Sequence, residues 1–289
     1  MSARTHLGRR ALRFGSLAAA VGLWQLLTAG RVRLWLRFDH LPTATEVGRA
    51  FVRQVGTDQY WTDLTESLRR IGTGFLLAAV LGVAAGVLTA RSRPAADLLG
   101  PVLEVVRPIP AIALVPVAIM LFPENEQGIV FITCAAAFFP ITVATRHAVR
   151  AVPPRWEEAV RTMGGGRARV LWSVVLPGAL PGVVGGLSVG IGVAWICVIS
   201  AEMVSGQFGV GYRTWSAYTV LDYPGVFVGM ATIGLLGRAT SGAVELAGRR
   251  LTGWLPPVAA GAAAAAPPAA ERAGRGPEEA WPARTEVPA

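Results

Sequence analysis

Apolar residues fall along this chain in long blocks, each about as long as a helix needs to be to cross a bilayer, separated by short arginine-bearing breaks. A hydrocarbon core of about 30 Å takes roughly twenty helical residues. The first block, residues 14–30, follows a basic stretch, 1–13, carrying Arg4, Arg9, Arg10 and Arg13. The second is the charge-free window 71–90, closed by Arg91, Ser92, Arg93 and Pro94. The third runs from 108 to 123, with a helix start upstream near Pro101, and the fourth covers 127–145 and stops at Arg146. The fifth, 170–201, is too long for one crossing; Pro177 and Pro181 are expected to split it, leaving a membrane part at about 182–204. The sixth lies near 225–244 and contains Arg238, for which snorkelling to the interface is the simplest account. Six blocks predict an all-α, polytopic membrane protein with about six transmembrane helices.

The basic start and apolar run are like a secretory leader, but no small-x-small cleavage site precedes an exported soluble domain and further spans follow. The expectation is an uncleaved first helix at 14–30. Residues 31–66 are expected as an external loop and 67–246 as the core transmembrane domain, with a cytoplasmic loop at 146–178. The Ala/Pro-rich stretch 255–289 lacks periodicity and is expected to be a disordered cytoplasmic tail.

Six crossings put both termini on one side. That side collects Arg4, Arg9, Arg10, Arg13, Arg91, Arg93, Arg146, Arg150, Arg155, Arg161, Arg167, Arg169, Arg249 and Arg250, fourteen in all. The other holds eight: Arg31, Arg33, Arg37, Arg49, Arg53, Arg69, Arg70 and Arg213. The excess predicts N-in and C-in, against the dissent of seven arginines in and beside the first external loop.

Composition agrees: 53% of the 289 residues are hydrophobic and 16% charged, where a soluble domain carries about a quarter. The net charge of +9 is accounted for by arginines flanking spans, so no nucleic-acid partner is inferred. All 27 basic residues are Arg. Without Lys there is no Walker-type phosphate loop, so ATP, if it drives this protein, is expected on a separate ATPase subunit. Cys134 and Cys197 lie in apolar runs and are expected as packing residues. His6, His40 and His147 fall in separate segments; neither a metal centre nor catalytic residues are indicated.

The most informative polar segment lies between the fourth and fifth blocks. Pro153-Pro154 suits a helix's first turn, Glu157 and Glu158 complement its dipole, and Gly164-Gly165-Gly166 provides the exit. The chain should then resume helically over 167–175, up to Leu176-Pro177. Taken alone this could be a well-capped surface loop. From Glu158, however, the pattern is Glu-Ala-Val-x3-Gly-x9-Val-x-Leu-Pro. It resembles the EAA signature, Glu-Ala-Ala-x3-Gly-x9-Ile-x-Leu-Pro, of permease subunits from bacterial ATP-binding-cassette importers, departing only at Val160 and Val174.

Other segments resemble the branch serving nitrate, sulfonate and taurine. They are Leu41-Pro42-Thr43-Ala44-Thr45-Glu46-Val47, Ser67-Leu68-Arg69-Arg70, the run from Arg107-Pro108-Ile109-Pro110 to Pro116, Ala201-Glu202-Met203 and Gly209-Val210-Gly211-Tyr212. The likeness covers about 40–250. It implies a type I importer permease in the inner membrane, working by alternating access as a dimer of such chains with two ATPase subunits and an extracytoplasmic solute-binding protein. ATP would sit on the partner and no cofactor on this chain. Carried over residue by residue, Glu158, Ala159, Val160, Gly164, Leu176 and Pro177 become the ATPase-coupling residues. A small anionic solute fits the branch.

Five charged positions stay open. Glu104 and Arg107 either pair on one helix face or serve a pathway or gate. Glu202 either lines the pathway or hydrogen-bonds at an interface. Arg69 and Arg70 either anchor to lipid headgroups or contact solute. Gly82-x3-Gly86 and Gly182-x3-Gly186-x3-Gly190 place small residues on one helix face, for close packing or for a flexible path. The rival classes are an ion-coupled secondary transporter, which wants repeats and midplane acids, and a membrane enzyme, which wants clustered catalytic groups.

Overall fold

The computed structural model describes residues 3–29, 41–205 and 207–253, and every regular element among them is helical. In chain order these are α1 (Ala3–Ala29), α2 (Ala44–Val55), α3 (Asp58–Arg91), α4 (Arg93–Val106), a 3-10 turn (Ala111–Leu114), α5 (Val115–Leu121), α6 (Asn125–Arg150), α7 (Pro154–Thr162), α8 (Arg167–Val170), a π turn (Leu171–Val175), α9 (Leu176–Ser205), α10 (Val210–Thr219) and α11 (Tyr223–Leu251). The expected tail at 255–289 lies outside the described residues, as do 30–40 of the expected external loop.

α6 is the centre of the unit Met1–Leu251. On one side it meets α3 with Gly74 against Thr133, Gly82 against Ile141 and Gly86 against Thr145. The partner's number rises with the glycine's, so the two helices run parallel. A methyl group on Gly86 would lie 2.6 Å from Thr145 Cβ, and one on Gly74 2.7 Å from Thr133 Cβ. On its other side α6 meets α9 antiparallel: Gly182 faces Ala148, Gly186 faces Ala144 and Gly190 faces Ile141. Both glycine series are therefore packing surfaces, and Ile132, Ala137 and Ile141 of α6 are completely buried between them. α11 closes the group against α9, where Trp195 Nε1 donates to Thr240 Oγ1 at 2.8 Å.

Because α3 and α6 run parallel, the chain between them has to return the full depth. α4 and α5 make that return as a broken element bent by 84°. Pro108 and Pro110 cause the break, since neither offers an amide N–H to continue the ladder; Arg107 is still helical, and the chain is extended by Pro110 at ψ 122°. The expected third span is thus not one straight helix.

Three more expectations need correction. The segment 31–66 is not simply a loop: it contains α2 and the first turns of α3, which starts at Asp58 and not near 71. α2 begins at a capping box in which Thr43 Oγ1 accepts from the Glu46 N–H at 3.3 Å and Glu46 Oε2 accepts from the Thr43 N–H at 2.8 Å. Pro177 and Pro181 do not split the fifth block, which is helical from 167 to 205. Pro177 has no N–H for the Ser173 carbonyl, and the turn before it widens to π geometry and absorbs the defect. α10 was not anticipated. Four helical stretches (α3, α6, 167–205 and α11) are long and apolar enough to cross a membrane, and the bent pair makes a fifth; the apolar part of α1, Ala18–Ala29, is shorter.

A test of the glycine packing is to place a methyl group at Gly86 and, as control, at Gly72, where a Cβ meets nothing within 4 Å. Gly86→Ala should destabilise by about 1–3 kcal/mol, the usual cost of overpacking. Gly72→Ala should be neutral or slightly stabilising in the same detergent melting experiment.

Candidate functional site

α7 stands at the end of the bundle where α3 and α6 finish. Pro154 occupies its first turn and Glu157 sits where the dipole favours negative charge. Its exit is a Schellman motif: the Gly164 N–H donates to the Arg161 carbonyl and the Gly165 N–H to the Val160 carbonyl, each at 2.9 Å. Gly164 takes φ +79°, a conformation that glycine adopts without strain. The spacing from Glu158 to Gly164 is therefore the second half of one short helix and its left-handed stop.

Of the six sequence-assigned coupling residues, Glu158, Ala159 and Gly164 are exposed. Val160 turns inward and packs on a cluster of Val149, Val152, Val170, Val175, Ala179 and Val183. Leu176 and Pro177 are half-buried at the start of α9, behind the projecting helix. The motif thus splits into an outward face and its support. Trp156, Met163 and Trp172 are also exposed around α7, large apolar groups that the sequence pattern did not single out.

α7 is braced by charge. Arg91, the last residue of α3, grips Glu157 with two parallel bonds, Nη1 to Oε1 at 2.5 Å and Nη2 to Oε2 at 2.9 Å. Arg161 adds a third at 3.3 Å. The Arg91 guanidinium beside Glu157 holds its carboxyl below the usual carboxylate range.

Behind α7 a cleft of about 580 Å³ opens between the α4–α5 break, α6 and α9. Ile109, Phe139, Val143 and Val189 contribute to its walls, with Gly182 and Gly186 along one edge. Arg107 faces it. Glu104 does not, and among the described residues no ion pair joins the two, so the pairing alternative drops out.

At the opposite end of the bundle the structure assembles a charged cluster that the sequence did not reveal as one. Arg70 is 1% exposed and Glu202 0%. Arg70 Nη1 donates to Glu202 Oε1 at 3.0 Å and to the Phe208 carbonyl at 2.6 Å, while its Nε and Nη2 hold Glu126. Glu202 also accepts from Ser67 Oγ at 2.7 Å and from the Gly211 N–H at 2.9 Å. Ser67 accepts in turn from the Val210 N–H, and Asp63 from the Gly209 N–H and Arg213. A Cβ on Gly209 would come within 2.5 Å of Glu202 Oε1, and the residue holds φ +118°.

Glu202 is consequently a buried anion held by hydrogen bonds, as the second of its two readings expects. The Arg70 donors are taken up by Glu126, Glu202 and the Phe208 carbonyl, while Arg69 beside it is exposed and bonds Glu66 and Glu126. The sequence carried a hint: Ser67-Leu68-Arg69-Arg70, Glu202 and Gly209-Val210-Gly211 were each singled out, but nothing local said they meet.

Two measurements follow. Glu202→Ala should cost about 3–5 kcal/mol, because it leaves a buried guanidinium short of a partner, and should do so in melts with or without any solute. For α7, a depressed folded-state value means that the Arg91–Glu157 contribution is present above the unfolded carboxylate value, about 4.3, and is lost only as pH falls through the lower folded value. Amide exchange at 154–162, corrected for intrinsic rate, should therefore be flat across neutral pH, and Arg91→Gln should raise it there.

Residues 78–253 match the family model described as binding-protein-dependent transport system inner membrane component. A probable ABC transporter permease protein of Brucella melitensis biotype 1 is 34% identical over 255 residues, 88% of this chain and 100% of that one. The nitrate import permease protein NrtB of Leptolyngbya laminosa is 29% identical over 220 residues, 75% of this chain and 78% of its own. The bicarbonate transport system permease protein CmpB of Synechococcus elongatus is 32% identical over 190 residues, 65% and 68%. Among solved structures, an inward-facing MetNI methionine ABC transporter matches with TM-score 0.52 at 22% identity, over 65% of this chain and 91% of that chain. An amino acid ABC transporter matches with TM-score 0.54 at 16% identity, over 71% and 96%. At such identities these two likenesses speak for the fold. The family model over residues 78–253 and the 34% identity to the Brucella protein, taken with the projecting helix and its motif, place this chain in the family of binding-protein-dependent transport system inner membrane components, the permease subunits of ABC transporters.

Proposed function

We propose that this chain forms the translocation pathway of an ATP-driven importer for a small anionic solute, with α7 as the helix on which a separate ATPase subunit docks. The observation that carries the reading is α7 itself: a short, exposed helix at the end of the spans, stopped by Gly164 and tied to α3 through Arg91 and Glu157. A polar helix held this firmly outside an apolar bundle is suited to receiving force. Glu158, Ala159, Trp156 and Met163 offer the outer contact, and Val160, Leu176 and Pro177 its base. ATP binding would close the ATPase pair, and α7 would carry that motion into α3 and α9.

On this reading the crossings are α1, the three straight helices α3, α6 and α11, the long helical run ending in α9, and the broken α4–α5. That makes six, with both termini and α7 on the cytoplasmic side. The chain would pair with a second copy, receive solute from an extracytoplasmic binding protein, sit among membrane lipids and bind no cofactor itself, ATP being held by the partner. The names of the nitrate and bicarbonate relatives support an anionic solute.

The test is copurification of the tagged chain from native membranes in a gentle detergent. An ATP-binding subunit should accompany the parent chain. Gly164→Arg and Glu158→Lys should lose it together with uptake, at normal membrane levels: a Cβ at Gly164 meets nothing within 4 Å of this chain, and the strain of a side chain at φ +79° is confined to the exposed stop of α7. A parent chain that comes out alone, or normal uptake in either variant, would overturn the docking assignment.

A further inference from the structure

The cleft behind α7 carries charge of one sign. Along α6 its lining runs from Ala135 to His147, about 18 Å at 1.5 Å per residue. Its walls are apolar or small, and among the described residues Arg107 and His147 are its only titratable side chains and no carboxylate lines it. Arg107 is exposed and has no carboxylate partner among the described residues, unlike Arg70 and Arg213, whose guanidinium groups are taken up by Glu126, Glu202 and Asp63. A guanidinium left unpaired on an apolar wall is open to an incoming anion.

A second observation concerns the backbone. Arg107, Ile109, Pro110 and Ala111 all line the cleft, and they form the break between α4 and α5. At bilayer depth, non-helical backbone is tolerated only where protein buries it or where it faces a water-filled cavity. Arg107, itself exposed, stands on this irregular backbone at the edge of an apolar-walled cleft, an arrangement that concentrates the field of a single charge.

Resting on the reading of this cleft as the solute path, we infer that Arg107, seconded by His147, is its anion-selecting contact. The ligand class is a small oxoanion of one or two negative charges, met by two parallel guanidinium N–H donors. The apolar remainder of the wall adds no further polar hold, so the anion is drawn in yet released, as conduction requires. Arg107 is thus a specificity-determining residue, distinct from the coupling residues on α7 and from the structural arginines at the far end.

Charge selection is measurable without knowing the solute or the ATPase. Val189 lines the cleft and is 59% exposed, so Val189→Cys in a Cys134→Ala, Cys197→Ala background reports on it. Full-length chain in unsealed native membranes is treated with a negatively charged methanethiosulfonate (sulfonatoethyl) and with a positively charged one (trimethylammonium-ethyl). The anionic reagent should react faster. Arg107→Gln should cut the anionic-to-cationic rate ratio about tenfold, Arg107→Lys should restore most of it, and His147→Gln should lower it by a smaller factor. A ratio unchanged in Arg107→Gln, or a Val189→Cys inert to both reagents, would overturn the inference. Failure here leaves ATPase copurification unaffected, and loss of copurification leaves the ratio intact, so the two readings fail separately.

Discussion

The structure depends on how closely α3 and α9 approach α6. In a bilayer no hydrophobic force drives one apolar helix onto another, and association rests on van der Waals contact and a few hydrogen bonds. Removing Cβ at 74, 82 and 86 on one side and at 182, 186 and 190 on the other brings three backbones together around the fully buried Ile141. Everything else hangs from this triplet. The parallel run of α3 and α6 forces the bent return through α4 and α5, and the bend leaves the cleft. The small residues along α9 serve both ends of the argument at once, since Gly182 and Gly186 pack on α6 while edging the cleft.

Charge is confined to the two ends of this triplet, and each end uses it differently. At the far end Arg70 and Glu202 are taken out of water, which is tolerable only because their donors and acceptors are matched by one another, by the partly exposed Glu126, by Ser67 and by backbone groups. At the near end Arg91 and Glu157 remain partly in solvent, and they fix a helix in place without closing off its outer face. Of the arginines that weighed against the N-in orientation, two belong to the first of these clusters. Arg70 and Arg213 are internal counter-ions, not free positive charge on a loop.

What was legible in the sequence is what is local. Apolar blocks located α6 and α11 closely, because a span is a property of consecutive residues. The EAA-like spacing and the prolines before it located α7, because a helix start, a length and a glycine stop are all encoded within the eleven residues from Pro154 to Gly164. The LPTATEV run was noticed as a likeness, and its physical content is the Thr43–Glu46 box that starts α2. What was illegible is what depends on partners distant in the chain. Ser67 and Glu202 lie 135 residues apart and meet at 2.7 Å, and no pattern around either announces the other. Prolines misled in both directions: those at 108 and 110 broke a helix expected to be whole, while Pro177 and Pro181 sit inside a helix expected to break. The difference is set by whether the surrounding backbone can take up the missing donor, as the π turn before Pro177 does.

α3 has a mechanical consequence. It carries Arg91 at one end and Asp63, Ser67 and Arg70 toward the other, so both charged clusters are bolted to a single rod with about 32 Å between Arg70 and Arg91. No proline interrupts it. A rod fastened this way is a lever: tilted by about 5° around its midpoint, it moves its two ends in opposite senses by about 1.4 Å each. That stroke is enough to break one hydrogen bond and form another. A push delivered to α7 would reach the far cluster undiminished, and neither end could be rearranged without the other registering it.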